Sequence, residues 1–175
     1  LGSAILIANH NSHLDPLVGG ICVPEEIHIL ARDSLFRSPI LSFIMRRFRG
    51  HPISRDKGNA HAFKLVASLL HKGEKVVLFP EGSRSEDGSL QDMKEGAAFF
   101  VYKMRCTVIP IHIAGTYQIW SKHCKTPKFF GKIVCRIGKP VLYADLTTKK
   151  REYFLQELTN RMKKSLQVMA SMEAE

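Results

Sequence analysis

The residues whose types and order could do chemistry lie together in Asn9-His10-Asn11-Ser12-His13-Leu14-Asp15, directly after the apolar run Ala4 to Ala8 and directly before Pro16. A neutral imidazole takes a proton from a hydroxyl, and a carboxylate on its other ring nitrogen fixes the tautomer and stabilises the charged ring. His10 and Asp15 stand five positions apart. That is more than one helical turn, but a turn entering a helix folds the carboxylate back under the ring. His13 is the rival base, although two residues from Asp15 is a poor separation on any regular element. The same stretch also reads as a capped surface turn, with Asn9, Ser12 and Asp15 supplying the caps. By itself it does not decide between the two.

A second polar segment, Glu81-Gly82-Ser83-Arg84-Ser85-Glu86-Asp87-Gly88-Ser89, follows the most strand-like run of the chain, Lys75 to Phe79, and its terminating Pro80. Gly82 and Gly88 permit a tight backbone, and the Arg84 guanidinium offers five donors in a fork that fits phosphate oxygens. Glu81 suits a substrate hydroxyl or the fixing of an arginine, and the backbone amides around Gly82 suit an oxyanion. A solvated hairpin or lid is the plainer reading. Arg55 closes the compact piece Gly50-His51-Pro52-Ile53-Ser54-Arg55 and offers a second cation. His112, inside an apolar run, is read as a structural histidine.

The elements that must position these groups follow from periodicity. Short apolar runs near residues 4 to 8, 27 to 31, 75 to 79, 107 to 114 and 133 to 137 predict strands. Helical spacing predicts helices over 16–21, 60–70, 94–104 and a terminal region after Asp145 built on Tyr153, Phe154, Leu158, Met162, Leu166 and Met169. Pro110 demotes its strand to an edge, a bulge or two short pieces. The alternation predicts a single α/β domain over 1–175 with a central mixed, mainly parallel sheet flanked by helices. In such a sheet the loops beyond the strand ends converge, which would bring His10, Arg55, Glu81 and Arg84 to one cleft.

Between Asp33 and Arg49, apolar residues alternate with Arg37, Arg46, Arg47 and Arg49, and Pro39 with Ser38 before it marks a helix start. An apolar face with arginines at its end suits either core packing or the interfacial zone of a membrane. Residues 116 to 132 mix aromatics with lysines and read as a membrane-facing or phosphate-facing loop, or equally as a solvated loop with buried aromatics.

With 26 Lys plus Arg against 16 Asp plus Glu, the chain carries +10 with histidine neutral. That balance favours an anionic partner: nucleic acid, a phosphorylated substrate or an acidic lipid surface. A stacking platform or arginine-rich recognition helix for nucleic acid is missing from the pattern. Cys22, Cys106, Cys124 and Cys135 lie far apart, so idle thiols are expected and a metal site is not. No run reaches membrane-spanning length. The sequence opens almost inside a strand, and a membrane-anchoring segment before Leu1 is one way a longer chain would begin.

Four blocks now stand in order: Asn9 to Asp15, Gly50 to Arg55, Phe79-Pro80-Glu81-Gly82-Ser83-Arg84-Ser85 and Val108-Ile109-Pro110-Ile111. Together they resemble the glycerolipid acyltransferase family that includes the 1-acylglycerol-3-phosphate acyltransferases. The likeness implies His10 as general base, Asp15 as its orienting partner, and Arg55, Glu81, Gly82, Ser83 and Arg84 as the binding site for a glycerol-phosphate acceptor. It also implies acyl-CoA or acyl-acyl carrier protein as donor substrate, no bound cofactor, and work at the cytoplasmic side of an anionic membrane. The activity implied is acylation of 1-acyl-sn-glycerol 3-phosphate to phosphatidic acid. Ser83 replaces the commoner threonine, and Ser54 stands where an aspartate or asparagine often precedes the arginine, so glycerol 3-phosphate or another lysophospholipid remains an alternative acceptor. A basic lipid-binding module without catalysis is the non-enzymatic alternative.

Overall fold

Five consecutive apolar residues, Ala4–Ala8, form strand β1, and all five are buried because helices cover both faces of the sheet. A strand so covered reads as an unbroken apolar run instead of an alternation. Burial of each of Ile5, Leu6 and Ile7, all fully enclosed, stabilises the fold by about 2 kcal/mol. The structure is a computed structural model that describes residues 2–54, 58–146 and 150–172.

The remaining elements follow as α1 (Asp15–Ile21), β2 (Ile27–Arg32), α2 (Pro39–Arg47), β3 (Gly50–Ile53), α3 (Gly58–His71), β4 (Lys75–Leu78), α4 (Gly96–Met104), β5 (Thr107–Ala114), α5 (Thr116–Trp120), β6 (Val134–Ile137) and α6 (Arg151–Ser171). The strands form one sheet in the order β3-β2-β4-β1-β5-β6. All neighbours are parallel except β5 and β6. The mixed, mainly parallel α/β domain expected from the sequence is therefore observed.

Two apolar layers enclose the sheet. Ile5, Ile7, Val76 and Val108 pack with residues of α3, α4 and α6. Leu6, Ala8, Ile29 and Ile113 pack on the other face with Leu17 and Val18 of α1 and Met45 of α2. Along α6, Phe154, Leu158, Met162, Leu166 and Met169 are buried, the helical row expected of them.

Three local expectations change. Gly50–Ile53 is a paired strand, with Leu30 opposite His51, where the sequence suggested a compact turn and a short extended piece. Thr116–Trp120 is a short helix the pattern did not reveal. β5 runs unbroken through Pro110 and lies inside the sheet. The reason is directional: Pro110 C=O accepts Gly138 N–H at 2.8 Å on the β6 side, and the N and C=O of one strand residue point to the same side. The missing N–H therefore falls just past the Ile111 to Ala114 segment that pairs with β6, and no bond to β1 is lost.

Candidate active site

β1 is one of the two central strands of the sheet, and His10 lies two residues beyond its carboxyl end. Asn9 extends the strand by a side-chain substitute for backbone pairing: its Nδ2 donates to Ile113 C=O at 2.9 Å and its Oδ1 accepts Ile113 N–H at 2.7 Å. The chain then turns into α1, and the turn closes on Asp15. One oxygen, Oδ2, accepts the N–H groups of Asn11 at 2.5 Å and Ser12 at 2.6 Å and lies 3.0 Å from His10 Nδ1. The other, Oδ1, accepts the Thr116 hydroxyl at 2.6 Å. Asp15 is fully buried, and a buried carboxylate is stable only when its lone pairs are met in this way. Because a carboxylate accepts and does not donate, His10 Nδ1 carries the proton in this contact and Nε2 keeps a free lone pair.

The two readings of this stretch thus coincide. Asp15 caps the turn, and in doing so it orients His10. Thr116, which the sequence reading missed, locks the carboxylate from the far side of β5. Its helix starts at Gly115, whose φ of +84° and a Cβ position 1.9 Å from Lys132 O leave room only for glycine.

The segment after β4 wraps the histidine. Glu81 Oε1 accepts His10 N–H at 2.9 Å, Ser85 N–H donates to His10 C=O at 2.7 Å, and the Phe79 ring stacks on the imidazole at 4.2 Å between centroids. Glu81 is 3% exposed and its second oxygen accepts Gln91 N–H at 3.3 Å. Its two oxygens tie the backbone at His10 to the backbone at Gln91. Burial pushes its carboxyl up to about 7, against the pull of the His10 and Gln91 N–H groups. Gly82, at φ +76°, makes the tight turn, and a Cβ there would lie 2.9 Å from Lys94 Nζ. Its own N–H is taken by Phe79 C=O at 3.0 Å, so that amide is not a ready oxyanion donor.

In front of His10 lies a cleft of about 320 Å³. Its lining includes His13, Arg32, Ser34, Gly82, Ser83 and Arg84, and no carboxylate among the described residues. Arg84 Nη1 contacts His13 Nε2, and the His13 ring is tilted against Trp120 at 4.9 Å. Desolvation, then the Arg84 charge, lower the His13 pKa from its ordinary value. Burial and Arg32 likewise lower that of Arg84. Arg32, at the end of β2, is a cleft cation that sequence reasoning passed over. A basic residue directly after the predicted strand over 27 to 31 was the available signal. Arg55, expected in the same cleft, lies outside the described residues. Among the described residues no group of three His, Cys, Asp or Glu could hold a metal ion.

A histidine on a buried carboxylate, at the carboxyl edge of a mainly parallel sheet and beside a basic cleft, is an arrangement suited to proton abstraction next to an anionic group. A family model described as acyltransferase matches residues 1–114, and the chain belongs to that family. It is 29% identical over 140 residues to the chloroplastic 1-acyl-sn-glycerol-3-phosphate acyltransferase of Arabidopsis thaliana, covering 79% of this chain and 39% of the relative. To the 1-acyl-sn-glycerol-3-phosphate acyltransferase of Bacillus subtilis it is 26% identical over 171 residues, covering 93% and 80%. The 1-acyl-sn-glycerophosphate acyltransferase from Thermotoga maritima superimposes with a TM-score of 0.74 at 25% identity, over 99% of this chain and 68% of that one. The chain spans less than half the length of the plant relatives it matches, 39% and 47%.

Proposed function

We propose that this chain, as one catalytic domain over 1–175, transfers a fatty acyl group from an acyl thioester to the free hydroxyl of 1-acyl-sn-glycerol 3-phosphate, giving phosphatidic acid. The observation that carries this reading is the 3.0 Å contact of His10 Nδ1 with buried Asp15, with the ring held beside a cleft that contains Arg32 and Arg84 and, among the described residues, no acid. His10 Nε2 accepts the proton of the acceptor hydroxyl as its oxygen attacks the thioester carbonyl. Collapse of the tetrahedral oxyanion forms the ester, breaks the carbon–sulfur bond and releases a thiolate, which takes the proton from His10. Ser83 is not required as a nucleophile. Arg84, with Arg32 and Arg55, holds the phosphate dianion, and that binding fixes the hydroxyl near Nε2. Glu81 and Gly82 shape the backbone around His10. The donor is acyl-CoA or acyl-acyl carrier protein.

The site works at an anionic membrane surface on the cytoplasmic side. Among the described residues no helix is long and apolar enough to cross a membrane. α2 instead leaves Ile40 and Phe43 more than 70% exposed, with Arg46 and Arg47 in its last turn and Arg37 just before it, a composition suited to the lipid interface.

The test is turnover of the purified chain with 1-acyl-sn-glycerol 3-phosphate, glycerol 3-phosphate and other lysophospholipids, each with both donor types. The highest kcat/KM is expected for 1-acyl-sn-glycerol 3-phosphate. His10→Ala is expected to lower kcat by about 10²- to 10⁴-fold while binding to anionic vesicles persists. Full turnover in that variant removes the general base from the reading, and a preference for glycerol 3-phosphate replaces the acceptor.

A further inference from the structure

A second cavity lies remote from His10. It is a groove of about 810 Å³ between β6, the loop after it and the last turns of α6, and it shares no residue with the catalytic cleft. Its apolar walls come from Ile137, Pro140, Val141, Val168, Met169 and Met172. Val141 is held by paired bonds to Val108, its N–H to Val108 C=O at 2.8 Å and Val108 N–H to its own C=O at 3.0 Å. Met169 is 6% exposed, but Ile137, Val168 and Met172 are each about half exposed. A strand edge and a helix flank thus leave apolar surface facing the same space. That size and lining suit a small molecule, and the two methionines adapt to flexible chains.

The mouth of the groove is basic. Arg136, Lys139, Arg161 and Lys164 line it against one acid, Asp145. Arg161 is paired with Glu157 at 2.6 Å, and Arg136 Nη2 donates to Met172 C=O at 3.2 Å. Lys139 and Lys164 make no ion pair among the described residues. Charge decides between occupants. A second copy placed symmetrically on this face would bring like-charged lysines together in a chain of net charge +10. An apolar chain with an anionic head instead places each end against its complement. We propose that the α6/β6 groove is a binding site for a single-chain anionic amphiphile, its hydrocarbon lying along Val168 and Met172 and its carboxylate or phosphate at Lys139 and Lys164. The proposal is independent of the acyl-transfer reading and its test needs no turnover.

The test follows the methyl NMR signals of Met169 and Met172 in the full chain during titration with dodecyl phosphate below its micelle concentration. Saturable shifts of both methyls are expected. Lys139→Glu and Lys164→Glu are each expected to weaken binding by about five- to tenfold, as loss and reversal of a part-exposed charge contact does. Val168→Trp, on an exposed helix position, is expected to block the groove without lowering thermal stability. Parallel titrations with dodecanoate and 1-dodecanoyl-glycerol 3-phosphate distinguish a free fatty acid from a lysophospholipid as the natural source, and saturable binding of either supports the site. Unmoved methyl signals overturn the proposal. So do equal responses to dodecyltrimethylammonium, unchanged binding in the Val168 variant, or sedimentation showing a dimer that Val168→Trp dissolves.

Discussion

Two histidine clusters occupy the same sheet and differ in what stands behind the imidazole. At the carboxyl edge, His10 meets a fully buried carboxylate that three further donors hold in place. Toward the β3 end, His28 Nδ1 lies 2.8 Å from His51 Nε2, and His28 Nε2 is 3.5 Å from the part-exposed Glu74. The first ring has one nitrogen fixed and the other open to a cleft. The second uses a nitrogen on another histidine, which requires at least one of the pair to be neutral. Burial is the leading cause that lowers the pKa of both His28 and His51. A buried histidine becomes a base for chemistry when a charged acceptor orients it toward open space. With one nitrogen on a second histidine and the other near Glu74, His28 is a structural polar link between β2 and β3.

The comparison breaks most sharply at Asp15. Asp15→Asn removes the charge and replaces one of the two acceptor oxygens with an NH2 donor, so either Thr116 or the group of two backbone N–H and His10 loses its acceptor, and kcat is expected to fall by about 10²- to 10⁴-fold. Stability is expected to fall by about 2 kcal/mol, measured by urea unfolding. Activity near wild type would show that the buried carboxylate does not orient the base. Next in size is Arg84→Ala, which removes a cleft cation without touching the imidazole. The KM for the phosphorylated acceptor should rise by about 10- to 100-fold, the worth of a charge-assisted contact, with a much smaller change in kcat.

The pH dependence of stability sharpens the contrast, because the two regions have opposite signs. Glu81 binds its proton more tightly when folded, so between about 4.5 and about 7 the native state holds more protons and stability falls as pH rises. Glu81→Gln is expected to remove that falling component, seen as the difference between wild-type and variant melting temperatures across the window. His28 and His51 bind protons less tightly when folded. The unfolded state therefore takes up more protons as pH drops below about 6.5, and stability is lost toward acid. The smallest effect is expected for His51→Gln: a shallower acid slope with turnover at pH 7 unchanged. An acid slope identical to wild type would remove the histidine pair from the account of acid stability.

The His10–Asp15 pair was legible because its geometry is local. His10, Ser12 and Asp15 are close in sequence, and one turn brings them together. Arg84 and Gly82 were legible as a polar turn after an apolar strand. The contact of Glu81 with His10 was not, because the two lie 71 positions apart, and sequence pattern carries no record of such a contact. Thr116 was missed for the same reason, lying 101 positions from Asp15 in a five-residue helix too short for periodicity to register. β3 escaped as a strand because Gly50-His51-Pro52-Ile53 lacks a strand composition; it pairs because β2 offers it an edge.

The sequence by itself determined the alternation of apolar runs and helical rows, hence the α/β sheet, and it placed a histidine and an aspartate within one turn beyond β1. Those features rest on local periodicity and short-range sterics, which act between near neighbours in the chain. Only the tertiary structure decided that Asp15 is buried and quadruply held, that Glu81 accepts the His10 N–H, that Arg32 joins Arg84 in the cleft, and that β6 and α6 leave a basic-mouthed groove. Each depends on groups far apart in sequence being desolvated together, and burial is a property of the packed whole.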